Sequence, residues 1–132
     1  MRKQTKSGRV SIEEFVSAAE ATDAVNRKFV GHIFLNEEVN LSTLNLRMHI
    51  EKGFDCIECG VRGSYFKVER TPGPPHIIYS DWHLNLYAVD ERGNEVLMTK
   101  DHRYPRSKGG SDEIENLDPM CSKCNHKKGD KI

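Results

Sequence analysis

Long apolar runs are missing from this chain of 132 residues: none approaches the roughly 20 that a membrane-spanning helix requires, so no membrane association is expected. Nor does an apolar stretch follow the basic start Met1–Arg9, which does not read as an export signal. The chain is therefore expected in the cytoplasm, where thiols stay reduced. Excess charge of either sign is absent, with 20 Lys and Arg against 20 Asp and Glu. That balance excludes a strongly adhesive nucleic-acid binder but says nothing of local patches. No internal repeat and no low-complexity segment occurs. Cysteine is scarce, at four residues, but not scattered: Cys56 and Cys59 form one C-x-x-C pair, and Cys121 and Cys124 form another.

What is present describes one compact domain with a modest core, at 36% apolar residues and a mean hydropathy of −0.67. A structural metal would supplement such a core. Residues 1–10 read as a flexible basic tail. Ser11-Ile12-Glu13-Glu14 has the spacing of a capping box. Ile12, Phe15, Val16, Ala19, Val25 and Phe29 then recur at mostly helical spacing, which predicts an amphipathic helix from about Ile12 to about Lys28. Val30–Leu35 is a short apolar run. Leu41–Glu51 fits either a strand or a helix begun at Ser42, and the helix is preferred. Tyr65–Arg70 alternates as a strand does, and Thr71–Pro75 breaks regular structure. His83–Val89 and Glu95–Lys100, separated by the turn residues Asp90–Asn94, predict a β-hairpin.

The chemistry-bearing residues gather between Thr99 and Asp130. Asp101 and His102 end an apolar strand-like run, and Pro105 prevents the strand continuing far. A loop with Gly109-Gly110 follows, flanked by Arg103, Arg106 and Lys108. Asn116 then precedes Leu117, and the second cysteine pair leads into Asn125, His126, Lys127 and Lys128. In a reducing compartment two C-x-x-C pairs favour zinc thiolates over disulfides, and Gly60 suits the tight turn of a zinc knuckle. From Lys100 onward, eight basic residues face six acidic ones, with Asp112, Glu113 and Glu115 clustered in one loop. Such a weakly positive region predicts modest, salt-sensitive affinity for DNA. His49, His76 and His83 read as core or surface histidines rather than ligands.

Asp101-His102, the glycine loop, Asn116-Leu117 and Cys121-x-x-Cys124-Asn125-x-Lys127-Lys128 together resemble HNH endonucleases of the ββα-metal type. The nearest likeness is to the four-cysteine members common in phages and bacteria, over roughly Phe54 to Asp130. The resemblance implies an α+β fold: a ββα-metal core over 53–132 with a structural Zn(Cys)4 site. A helical extension over 11–52 packs on that core and inherits nothing from the motif.

By the same resemblance, Cys56, Cys59, Cys121 and Cys124 hold zinc, and His102 is the general base. Asp101 ligates a catalytic Mg²⁺ or Mn²⁺ with Asn125. Many members have histidine directly after the last cysteine, so His126 stays as the alternative ligand. Asn116 orients the base by bonding backbone across the Tyr104–Glu115 loop. Arg103, Arg106, Lys108, Lys127 and Lys128 are candidate phosphate contacts. The reaction implied is hydrolysis of DNA to 5′-phosphate and 3′-hydroxyl ends, one strand per motif, by a monomer or, for double-strand cleavage, a homodimer. The rival is a zinc-containing nucleic-acid-binding or interaction module without catalysis. It accounts for the cysteines but leaves Asp101, His102, Asn116 and Asn125 unexplained.

Overall fold

The computed structural model describes residues 2–73 and 79–131, so Pro74, Pro75 and His76 lie outside the described residues. Helices and antiparallel strands share the chain, an α+β fold as expected. Two compact units divide it, Met1–Ser42 with Tyr65–Asn85 and Thr43–Ser64 with Leu86–Ile132. This division interleaves in sequence.

In the first unit, β1 (Gln4–Thr5) pairs antiparallel with β4 (Gly63–Arg70), Gln4 opposite Arg70 and Thr5 opposite Glu69. The stretch expected as a flexible tail thus contains a strand, and Val10 is buried against Phe66 through paired backbone bonds. Helix α1 (Ile12–Thr22) opens on the capping box: the Glu14 N–H donates to Ser11 Oγ and the Ser11 N–H to Glu14 Oε1. It stops earlier than the apolar spacing predicts, because Asp23 adopts a left-handed φ of 54° and its N–H closes on the Ala19 and Glu20 carbonyls. Phe15 and Ala19 face the core, with the Phe15 ring 4.9 Å from that of Phe66. Strands β2 (Gly31–Phe34) and β3 (Glu37–Asn40) form a hairpin around Leu35 and Asn36. Both turn residues have positive φ, the backbone that a two-residue hairpin turn requires.

The second unit holds the residues of interest. Helix α2 (Leu44–Lys52) is capped by the Thr43 hydroxyl and ends at Gly53, whose φ of 99° few other residues adopt. His49 is buried in it, its Nδ1 3.0 Å from the Gly53 carbonyl oxygen and its ring stacked on Phe54. Burial lowers its pKa, partly offset by the bond to Gly53, and this histidine belongs to the core as expected. Strands β5 (His83–Val89) and β6 (Glu95–His102) make the expected hairpin, Tyr87 opposite Leu97 and Val89 opposite Glu95. A further strand, β7 (Leu117–Cys121), pairs with β6 from Met98 opposite Cys121 to His102 opposite Leu117. It lies at the sheet edge, which accommodates Pro119. Helix α3 (Ser122–Lys128) follows immediately, so β6, β7 and α3 run strand, strand, helix.

Candidate active site

Asp101 and His102 are the last two residues of β6. Consecutive strand residues face opposite ways, so the two side chains meet different neighbours. Asp101 is buried, at 6% exposure, and faces α3: Lys128 Nζ donates to its Oδ2 at 2.6 Å and to the His102 carbonyl at 3.1 Å. One helical turn earlier, Asn125 Nδ2 donates to Thr99 Oγ1 at 2.8 Å and to the Lys100 carbonyl at 3.2 Å. The spacing of three places Asn125 and Lys128 on one face of α3, and that face lies along the end of β6. Both hydrogen bonds donated by the Asn125 amide go to β6.

The His102 ring turns instead to the loop that joins β6 to β7. Its Nε2 lies 2.7 Å from Asp112 Oδ1. That hydrogen bond holds the Asp112 carboxyl below the usual carboxylate range against a desolvation that raises it, with Arg106 and Lys100 adding their charge. Asn116 braces the loop: its Oδ1 accepts from the Tyr104 N–H at 2.9 Å, and its Nδ2 donates to the Tyr104 and Ser111 carbonyls at 3.1 and 2.8 Å. The Asn116 carbonyl also accepts from the Arg103 N–H.

Directly across the ladder from Asp101 stands Asp118, a second buried carboxylate. Like charges opposite each other repel, and each has its own cation. Arg103 donates to Asp118 through Nε at 2.6 Å and Nη2 at 3.0 Å, which pulls its carboxyl below the ordinary range. Arg103 and Lys128, expected to point at phosphates, thus have carboxylate partners within the protein. Arg106, Lys108 and Lys127 are exposed, as is His126.

The four thiols converge on one point. Their Sγ atoms all lie within 4.8 Å of one another, and those of Cys59 and Cys121 are 3.9 Å apart. A tetrahedral zinc with bonds of about 2.3 Å separates its sulfurs by about 3.8 Å, so the cluster fits that ion. The knuckle is built locally: the Cys56 N–H donates to the Val61 carbonyl, the Gly60 N–H to that of Cys56, and Gly60 takes a φ of 78°. The Ile57 N–H donates to the Pro119 carbonyl and ties the knuckle to β7. Burial raises the Cys56 thiol, but the N–H groups of Cys59, Cys121 and Glu58 and the Cys59 thiol outweigh it and bring it to about 7.

Residues 90–131 match the HNH endonuclease family. The match covers less than half of the chain. No curated protein and no solved structure matches the chain. Every expected nuclease residue except the first cysteine pair falls inside the matched segment, and that pair reaches it through the shared thiol cluster. Among the described residues, no helix is long and apolar enough to cross a membrane. The matched segment contains contacts from residues that the sequence did not single out. Asp112, on His102, read only as one of several loop acids, and Asp118, on Arg103, was not singled out. Lys123 grips Asp90 at 2.8 Å, joining α3 to the turn of the β5–β6 hairpin.

Proposed function

We propose that this chain is a metal-dependent endonuclease that hydrolyses phosphodiester bonds of DNA, nicking one strand, with His102 as general base. The observation that supports this most is the convergence on the end of β6, within the matched segment. Asp101 and His102 close the strand, while Asn125 and Lys128 reach it from a single face of α3.

The His102 imidazole, at 14% side-chain exposure, takes the proton of the attacking water. Asn116 orients it through the loop. The Asp101 carboxylate and the Asn125 amide oxygen, with His126 as the alternative, are the groups to hold Mg²⁺ or Mn²⁺. A pair of hard oxygen donors suits such an ion. When bound, the ion polarises the scissile phosphate and stabilises the leaving 3′ oxygen. Lys128 holds positive charge beside Asp101. Arg106, Lys108 and Lys127 are exposed cations available to the DNA backbone, whose engagement weakens with salt. Zinc held by the four cysteines would have no open position and no part in the chemistry; it would fix the start of α3 to the knuckle.

The test is conversion of supercoiled plasmid to open circles. Wild-type protein nicks with Mg²⁺ and stops with EDTA, and His102→Ala loses nicking while still binding DNA. A wild-type protein that binds DNA without Mg²⁺-dependent nicking favours the non-catalytic zinc module.

A further inference from the structure

Taking His102 as the base, we infer that Asp112 is the positioning residue of that imidazole and the group through which Asn116 acts on it. The Asp112 Oδ1 lies 2.7 Å from His102 Nε2. An ionised carboxylate only accepts, so the ring hydrogen sits on Nε2 and the lone pair that can take a proton sits on Nδ1. The bond therefore sets both which ring nitrogen is basic and which way the ring is turned. Among the described residues no other side-chain contact of His102 does so, since Lys128 engages its backbone carbonyl alone.

The loop that carries Asp112 is held at the adjacent residue, Ser111. Asn116 Nδ2 donates to the Ser111 carbonyl at 2.8 Å, one peptide before Asp112, and its other contacts fasten the loop to Tyr104. The path runs from the Asn116 amide to the Ser111 carbonyl, then from the Asp112 carboxylate to the imidazole. Arg106, 3.8 Å from the same Oδ1, adds charge but no direct bond to the ring. Asp112 is half exposed and touches no metal candidate, so its removal leaves the cysteines and Asp101 in place.

The experiment combines a spectrum and a rate on full-length protein. In ¹H–¹⁵N spectra, a hydrogen-bonded imidazole N–H signal is assigned to His102 by its loss in His102→Ala. It is expected in wild type and in Asp112→Glu, and lost or strongly shifted in Asp112→Ala. An absent signal in wild type, or one that Asp112→Ala leaves unmoved, overturns the inference whatever the protein's activity. In plasmid nicking, Asp112→Ala should lower kcat by about 10- to 100-fold, part of the roughly 10²- to 10⁴-fold that a positioned base contributes. KM for DNA should stay within about twofold, because no binding contact is removed, and Asp112→Glu should restore most of kcat. Unchanged or raised kcat in Asp112→Ala, or an effect on KM alone, refutes the positioning role. If wild type shows the N–H signal but never nicks, the endonuclease reading fails while the Asp112–His102 contact survives.

Discussion

Replacing Asn116 tests whether the loop brace matters to the chemistry. Its side chain makes three hydrogen bonds, one accepted from the Tyr104 N–H and two donated to the Tyr104 and Ser111 carbonyls. At about 0.5–1.5 kcal/mol each, their loss in Asn116→Ala costs roughly 1.5–4.5 kcal/mol. The loop is largely open to water, which re-forms part of that bonding, so the lower end applies. About 1.5 kcal/mol is roughly a tenfold rise in the open population of the loop. Hydrogen exchange of the Tyr104 amide should accelerate by about that factor, while amides in β7 keep their protection. Nicking should fall by a similar factor or more, with zinc content unchanged. Asn116→Asp sharpens the test: it keeps the acceptor for the Tyr104 N–H but sets a second oxygen against two carbonyls, so it should impair at least as much as alanine. A Tyr104 amide that exchanges at the wild-type rate in either variant, or full nicking by Asn116→Asp, refutes the reasoning.

Other expectations follow from the second unit. One zinc per chain should be found by metal analysis, and Cys59→Ser should lower both zinc retention and Tm, because metal binding is folding free energy in such sites. Zinc-free protein with two intact disulfides would contradict it. His49 is kept neutral by burial, so below the ordinary histidine pKa of 6.5 the unfolded chain takes up a proton that the folded chain resists. Stability is then lost as pH falls below about 6.5, and His49→Gln, which still donates to the Gly53 carbonyl, should flatten that dependence in denaturant titrations at several pH values.

Features carried by local chemistry were legible in the sequence. The capping box at Ser11 and Glu14 marks the start of α1, the turn residues Asp90–Asn94 mark the hairpin, and the C-x-x-C pairs mark the thiol cluster. Features decided by tertiary partners were not. The end of α1 turns on Asp23 adopting a left-handed backbone, an option that the apolar periodicity through Phe29 hides. Strand β7 contains Asp118 and Pro119 and is buried along its whole length, so it shows no alternation. Strand β1 is polar and exists through its pairing with β4. At the candidate site, Asp101, His102, Asn116 and Asn125 stood out through the resemblance to HNH endonucleases. Asp112 did not, because only the folding of the loop brings it to His102, ten residues away.

The most direct test of the shared-ion geometry is a Mn²⁺ titration of full-length protein followed by paramagnetic broadening in NMR spectra. The expected result is early broadening of Asp101 and of the Asn125 side-chain amide together, abolished in Asp101→Ala, with the zinc knuckle around Cys56 little affected. Broadening that spares these two groups, or that persists unchanged in Asp101→Ala, would contradict an ion held between the end of β6 and α3.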